Sequence, residues 1–439
     1  MLTQVTDFLR RPAVIAGGTV VVLRALTLAS RFLLSLLLAR MLTAAELGAY
    51  GLVTAFLAFA LLGVGLEFYS YTLRQMVPAE PPKRVQIIVD QIVLTALMLC
   101  VVCGATAVAV WLDLLSLTVA SWCLLILITE HLSLEGTRIL IIMSRPVRAY
   151  IGLFLRGGVW VFVIGMIMFA DPSARTLETV LLWWALGGTA SVIFTAISLW
   201  HLPWRKLRTY RLDWVWIGAG LRIARPFMLT AIGALTLSYF DRFLIDRFLG
   251  RDAVGIYTFY STIAIGILSL GASVSHQFLP KVIAGFADGP NAFRKVLRTY
   301  SYSLSGIGAL VVLAAAVAIG PIVTVLDLDA YAAGIPVFYV MLGGVLLRIF
   351  ADVPSYALYA AHDDMELLAC NLGAAVVSVL LNLILIPSIG LMGAACANVA
   401  ASLTLLIALA TLAWRRAHAA KQPDGSAVSV PPERDLFLS

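Results

Sequence analysis

Charged side chains are scarce in this chain of 439 residues. Only 13% of the residues are Asp, Glu, Lys or Arg, whereas 61% are hydrophobic. A soluble globule must cover its surface with polar groups, so this composition excludes a soluble protein. Apolar runs of roughly 20 residues recur along nearly the whole chain, and each can cross the hydrocarbon core of a bilayer as a helix. Strands of a membrane barrel would alternate apolar and polar residues instead.

Cysteine and histidine are also scarce, with five of each. Cys100 and Cys103 form a C-x-x-C pair inside an apolar run, with no histidine and no second pair nearby, so no metal site is predicted. The chain also lacks a glycine-rich nucleotide-binding loop and a loop that combines Ser, His and Asp. We therefore expect no cofactor, no catalytic residues and no ATPase activity.

Twelve membrane-spanning helices are predicted, so the fold class is an all-α polytopic membrane protein. The predicted spans cover residues 14–39, 47–70, 86–111, 114–134, 148–170, 178–200, 216–240, 253–279, 299–321, 331–352, 365–386 and 390–414. An even number of spans places both chain ends on the same face of the membrane.

One sequence pattern occurs twice. R-x-L-x5-G-x-Y begins at Arg40 and again at Arg247, 207 positions later, and its glycines are Gly48 and Gly255. Such internal duplication is the usual construction of a membrane transporter. Each half holds six helices, so both halves enter the membrane in the same sense, and the symmetry axis lies along the membrane normal. We predict two pseudo-symmetric six-helix bundles around a central cavity.

The basic residues define the orientation and the domain boundaries. Lys and Arg concentrate on the face that holds both termini, which places both termini in the cytoplasm. The opposite segments hold only five arginines, namely Arg40, Arg175, Arg242, Arg247 and Arg251. We predict an N-terminal lobe over residues 1–200, a cytoplasmic interfacial linker over 201–215, a C-terminal lobe over 216–414 and a disordered cytoplasmic tail over 415–439. This topology and attraction to anionic membrane lipids explain the net charge of +7, so no nucleic acid partner is expected.

Two segments resemble a known family. Residues 382–395, NLILIPSIGLMGAA, look like the penultimate hairpin of polysaccharide flippases, of the O-antigen or exopolysaccharide type, in the multidrug/oligosaccharidyl-lipid/polysaccharide exporter superfamily. Residues 241–257, with DRFLI, LG and VGIY, resemble the seventh-to-eighth helix junction of that family. The resemblance extends from about residue 14 to 414.

This resemblance implies a function. A polyprenyl-(pyro)phosphate-linked oligosaccharide would be flipped across the bacterial inner membrane by alternating access, from the cytoplasmic to the outer face, for cell-surface polysaccharide synthesis. The implied partners are this lipid-linked substrate, the membrane lipids, and the polysaccharide polymerase and chain-length machinery.

Arginines within the spans are the candidate binding residues for such an anionic substrate. An ionisable group inside a membrane costs at least about 2.5–3.5 kcal/mol on insertion scales, so it normally faces a cavity or a partner. Arginine holds phosphate oxygens with two parallel hydrogen bonds and keeps its charge without water. The candidate set is Arg24, Arg31, Arg156, Arg222 and Arg225. Alternatively, Arg222 and Arg225 snorkel to the interface, and Arg156 pairs with a carboxylate.

Acidic residues and one histidine are candidates for ion coupling, because a carboxylate inside a span can bind Na⁺ or change its protonation. These candidates are Glu67, Asp90, Glu130, His131 and Asp352. A structural role is the alternative for each of them; Asp352, for instance, lies one helical turn from Arg348 and is positioned to pair with it.

Tyr257 and Tyr260 are candidates for stacking on sugar rings, although an aromatic belt at the membrane interface predicts the same residues.

Two other functions compete with a flippase. A multidrug or cation exporter of the same superfamily would favour an acidic and aromatic cavity over one lined by arginine. A membrane polysaccharide polymerase or ligase would need a large external loop, and the predicted loops are short.

Overall fold

The computed structural model describes residues 12–113, 116–202 and 212–419, and these residues form an almost entirely helical structure. Twelve long helices, α1 to α12, are apolar and long enough to cross a membrane, as predicted. Their bounds are Pro12–Met41, Ala44–Gly65, Pro81–Trp111, Leu117–Ile142, Pro146–Ala170, Leu177–Leu199, Trp214–Leu249, Arg251–Ala287, Pro290–Val325, Ile335–Ala360, Asp364–Ile389 and Leu391–Ala419. Short helices at Tyr69–Met76 and Asp329–Ala332 lie in the connections.

Local sequence signals explain where the two copies of the repeat begin their helices. At the start of α2, the Thr43 hydroxyl accepts a hydrogen bond from the backbone N–H of Glu46, whose carboxylate accepts one from the Thr43 N–H. This reciprocal pair satisfies two amide groups that a helix start leaves free. At the start of α8, Gly250 adopts a φ of +84°, which only glycine adopts without strain.

Several helices are longer than the apolar runs that predicted them. The prediction ended the seventh span at residue 240, but α7 continues to Leu249 and includes Asp241 and Arg242. The prediction placed Arg242 in an external segment because charge usually marks the end of a span. This placement was wrong, because Arg242 is only 2% exposed and satisfies its charge inside the protein.

Helices α1 to α6 form one lobe and α7 to α12 form the other. In the first lobe α4 packs against α6 and α1 packs against α5, whereas in the second α12 packs against both α10 and α11. The lobes meet mainly where α2 packs along α8. We call the face where α1 begins the N-terminal face, and the face with the α1–α2 and α7–α8 connections the far face.

The two repeat glycines meet each other at the far face. A Cβ on Gly48 would collide with the backbone of Arg251 and Gly255, and a Cβ on Gly255 would collide with that of Ala44 and Gly48. A position and its counterpart 207 residues later thus touch across the pseudo-symmetry axis. This close backbone contact holds the lobes together at the far face.

Parts of the predicted linker and tail lie outside the described residues, namely 203–211 and 420–439. The remainder of the predicted linker includes Asp213, whose carboxylate caps the start of α7 by accepting a hydrogen bond from the Trp216 N–H at 2.8 Å. Helix α12 continues to Ala419, so the first residues assigned to the tail are helical.

Candidate functional site

A cavity of about 760 Å³ lies between the two lobes. Most of its wall is apolar and comes from α1, α2, α8 and α9. The charged residues in its lining are three arginines and one carboxylate, which are Arg31, Arg156, Arg242 and Glu130. Aromatic side chains that carry a hydroxyl or an indole N–H also line the wall, and these are Tyr50, Trp160, Trp184 and Tyr239.

Arg156 and Glu130 form an ion pair inside the N-terminal lobe. The Arg156 Nε lies 3.5 Å from a Glu130 carboxylate oxygen, and both side chains are about 10% exposed. The other Glu130 oxygen accepts a hydrogen bond of 2.8 Å from the Trp184 indole N–H. Both carboxylate oxygens are therefore engaged, and the pair contributes little net charge to the cavity.

A π-helical turn at Leu155–Val159 places Arg156 in the cavity wall. Such turns insert one extra residue per turn into an α-helix, and they occur frequently at functional sites. The next residue, Gly157, lies against the first helix, since a Cβ there would be in ordinary van der Waals contact with the Arg31 Nε at 3.8 Å. The turn thus brings Arg156 of α5 close to Arg31 of α1.

Arg31 is the least compensated cation of this group. It is exposed to the cavity, and no acidic residue in the described part of the chain forms an ion pair with it. Arg24 lies seven residues earlier, about 10 Å closer to the N-terminal face. Its guanidinium donates a 2.8 Å hydrogen bond to Ser273 on α8. Arg24 does not line the cavity itself; it lies on α1 between the N-terminal face and Arg31.

Arg242 lines the cavity from the last third of α7, on the side nearer to the far face. It follows a second π-helical turn, Thr236–Phe240, which interrupts α7. Its guanidinium donates to the Gly51 carbonyl at 3.2 Å, the Thr54 hydroxyl at 2.8 Å and the Ser261 hydroxyl at 3.1 Å. Sequence reasoning missed this residue as a candidate. The adjacent Asp-Arg pair was a usable signal, since a span that continues through it must bury both charges.

Arg222 and Arg225 do not line the cavity. Both lie near the beginning of α7 and are exposed, and neither forms an ion pair with another described residue. This position fits the alternative in which their side chains extend to the interface. We leave them out of the proposed site.

Tyr257 and Tyr260 are buried in the core and also lie outside the cavity lining. The Tyr257 hydroxyl donates a hydrogen bond to the Asp241 carboxylate. The Tyr260 hydroxyl donates to the Tyr331 carbonyl at 2.6 Å. Both hydroxyls form hydrogen bonds inside the protein. The aromatic candidates for sugar contact are instead Tyr50, Tyr239 and Trp184.

The ion-coupling candidates are dispersed over the molecule. Glu67 lies in the turn that follows α2, where its backbone has a positive φ of 52°. Asp90 accepts a hydrogen bond of 3.1 Å from the Asp213 N–H and so ties α3 to the beginning of α7. His131 is buried and lies 3.2 Å from the Thr95 hydroxyl, so it faces α3 while Glu130 faces the cavity.

Asp352 lies in the C-terminal lobe, away from the cavity lining. It accepts a 2.8 Å hydrogen bond from Ser275, while Arg348 donates to Ser238 at 3.0 Å. The expected contact between Asp352 and Arg348 is therefore not a direct ion pair. Within the described residues, no cluster of three or more His, Cys, Asp or Glu side chains could hold a metal ion.

The fold, two six-helix lobes around a central cavity, is similar to solved structures of transporters of the MOP superfamily. One similar structure is an inward-facing multidrug resistance MATE family transporter of that superfamily, with a TM-score of 0.74 and 14% sequence identity over 92% of this chain and 99% of the other. Another is the lipid II flippase MurJ in an inward closed conformation, with a TM-score of 0.70 and 13% identity over 89% of this chain and 87% of the other.

Two further comparisons concern conformation and pocket polarity. An outward-facing MATE structure gives a TM-score of only 0.58, at 15% identity over 93% of this chain and 95% of the other. A MOP superfamily transporter from Pyrococcus furiosus, described as having a binding pocket of reverse polarity, gives 0.59 at 13% identity over 93% and 95% of the two chains. No family model and no curated protein matches the sequence.

Proposed function

We propose that this chain is a transporter that moves an anionic, lipid-linked oligosaccharide across the membrane by alternating access of its two lobes. The observation that carries the proposal is the charge of the cavity. Three arginines line it, and its single carboxylate is already paired with one of them. Neither of the other two guanidiniums, those of Arg31 and Arg242, forms an ion pair with a described carboxylate, and a phosphate or pyrophosphate group supplies the negative charge and acceptor oxygens for such a pair.

The remaining wall suits the rest of such a substrate. Apolar residues of α1, α2 and α8 accommodate a polyprenyl chain, and Tyr50, Tyr239 and Trp184 offer surfaces for sugar rings. The structural likeness to MurJ, described as a lipid II flippase, adds support at the level of the fold. The excess of Lys and Arg around the N-terminal face supports a cytoplasmic location for that face, by the positive-inside rule.

A multidrug or cation exporter is the competing function, and the MATE structures fit the fold equally well. Transport of an organic cation needs an uncompensated acidic or aromatic site. Among the described residues that line the cavity, Glu130 is the only carboxylate, and it is engaged by Arg156 and Trp184. The local charge therefore disfavours a cation and favours an anion.

Reconstitution into liposomes tests the proposal. Translocation of a fluorescent polyprenyl-pyrophosphate oligosaccharide is measured for the unaltered chain and for Arg31→Ala. We expect the variant to lose at least about tenfold in rate, because a hydrogen bond to a charged group contributes roughly 1.5–3 kcal/mol. Arg148→Ala is a matched control, since Arg148 is exposed near the beginning of α5 and lies outside the cavity.

The outcomes separate the two functions. Transport by the unaltered chain and by Arg148→Ala, with loss in a folded Arg31→Ala, supports the anion path. Equal transport by Arg31→Ala would contradict the role of Arg31. An unaltered chain that exports an organic dye cation and moves no lipid-linked sugar would establish the exporter function instead.

A further inference from the structure

Arg242 is a buried cation whose hydrogen-bond acceptors are all neutral. Its guanidinium contacts a carbonyl and two hydroxyls, and among the described residues no carboxylate pairs with it. The neighbouring Asp241 carboxylate is also buried and attracts the guanidinium, but it accepts hydrogen bonds from Tyr257 and from the Arg242 backbone N–H, not from the guanidinium. A buried charge without a directly paired opposite charge is costly, so this arrangement requires an explanation.

The contacts of Arg242 join the two lobes. Gly51 and Thr54 belong to α2 of the N-terminal lobe, and Ser261 belongs to α8 of the C-terminal lobe. Thr54 and Ser261 are also equivalent positions of the two repeats, since they lie 207 residues apart. Arg242 therefore bridges the pseudo-symmetry axis. Its contacts lie one to two helical turns further from the far face than the contact between Gly48 and Gly255 that closes this face.

Arg242 lines the cavity although the residue is only 2% exposed. Its Nε is buried and has no hydrogen-bond partner within the described structure. The Tyr239 ring lies 5.0 Å from the guanidinium carbon, and the terminal guanidinium nitrogens donate to Gly51, Thr54 and Ser261, so a ligand reaches them by replacing these neutral acceptors. A phosphate oxygen is a stronger acceptor than a carbonyl or a hydroxyl, because a charge-assisted hydrogen bond is roughly twice as strong as a neutral one.

We propose that Arg242 is a distal anion-binding residue that couples substrate binding to opening of the far face, an inference that rests on the proposed transport of a lipid-linked phosphate. The phosphate takes the place of Gly51 and Thr54 as acceptor for the Arg242 guanidinium. The hydrogen bonds between the lobes are lost as the bond to substrate forms. Substrate thereby favours the open conformation through its differential affinity for the two states.

Distance measurement between spin labels tests this coupling. Labels are placed at Leu117→Cys in the N-terminal lobe and Ala330→Cys in the C-terminal lobe, both exposed at the far face, after replacement of the five native cysteines. The probe is farnesyl diphosphate, and farnesol is its uncharged counterpart. We expect the diphosphate to raise the ratio of the long-distance population to the short-distance population about tenfold, whereas farnesol should leave this ratio unchanged.

Three variants identify the residue responsible. In Arg242→Gln the diphosphate should no longer change the distances at a saturating concentration. Thr54→Val keeps the side-chain volume and removes one acceptor, so it should populate the long distance before any ligand is added. Arg247→Gln is the matched control, because Arg247 is exposed five residues later on the same helix and lies outside the cavity; it should respond like the unaltered chain.

Binding measured separately by tryptophan fluorescence distinguishes the possible failures, since Trp160 and Trp184 line the cavity. If the unaltered chain binds no diphosphate, the proposed function fails. If it binds the diphosphate without opening, or if Arg242→Gln opens as the unaltered chain does, the coupling through Arg242 is overturned while the proposed function stands. Should Arg242→Gln fail to fold, a Thr54→Val protein with the distances of the unaltered chain would overturn the coupling by itself.

Discussion

At the scale of single residues, the charge of the cavity depends on which groups are already paired. Arg156 and Glu130 neutralise each other, whereas neither Arg31 nor Arg242 forms an ion pair with a described residue. Their depth in the membrane placed Arg31 and Arg156 in one candidate anion-binding set, with pairing to a carboxylate as the alternative for Arg156. The structure distinguishes them, because the partner of Arg156 comes from a different helix.

The Arg156–Glu130 pair predicts a stability pattern. Removing one member leaves the other as an unpaired buried charge, so Arg156→Gln should lower the free energy of unfolding by about 3–5 kcal/mol. The double variant Arg156→Gln/Glu130→Gln should recover most of this loss, because a glutamine at 130 still accepts the Trp184 hydrogen bond. Thermal unfolding in detergent measures both; a double variant no more stable than Arg156→Gln would contradict the pairing.

At the scale of helices, the contact between α2 and α8 depends on the absence of two side chains. Gly48 and Gly255 allow the helix backbones to touch, as small residues do in membrane interfaces. The sequence repeat identified both glycines but not their contact. Their sequence separation is half the chain, and only the packing of the lobes brings them together.

Gly48→Ala should therefore separate α2 from α8 and destabilise the closed far face by about 1–3 kcal/mol. A lower melting temperature and a larger long-distance population between labels at 117 and 330 are the expected readouts. Gly63→Ala on the same helix is the control, because a Cβ there meets no atom within 4 Å. Its higher helix propensity should leave stability unchanged or raise it. Equal loss in both variants would show that the effect comes from α2 itself.

At the scale of the whole molecule, the far face is closed while the cavity lies beneath it. Arg40, at the end of α1, donates to the Leu326 carbonyl and lies 3.2 Å from Asp327 after α9, so it adds a contact between the lobes. Both side chains are exposed, at 41% and 75% of their surface, and an exposed pair contributes little energy. Under the proposed alternating access, this contact must break in every cycle.

Cross-linking tests that requirement. In a chain without native cysteines, Arg40→Cys and Asp327→Cys joined by a short bis-maleimide should abolish translocation, because the lobes can no longer separate at the far face. Binding of the lipid diphosphate from the N-terminal face should persist. The same double variant without cross-linker should transport at nearly the unaltered rate, since the pair itself is weak. Transport by the cross-linked protein would contradict opening at this face.

The sequence by itself determined the fold class of this protein and the number of its spans. The twelve apolar runs and the repeat at an offset of 207 depend on local composition and order, and bilayer thickness sets the length at which an apolar run crosses the membrane as a helix. These features also placed Arg31 and Glu130 inside the membrane. The helix ends were less predictable, because Asp241 and Arg242 are charged residues that continue a span.

Only the tertiary structure decided which of these residues act together. Arg242 bridges equivalent positions of two lobes, Glu130 neutralises one arginine and not the other, and Tyr257 and Tyr260 turn into the core. Each of these outcomes depends on groups that lie on different helices, often half the chain apart. The packing of the two lobes sets the distances between these groups. The periodicity of one helix shows which face a residue lies on, but not which residue of another helix it meets.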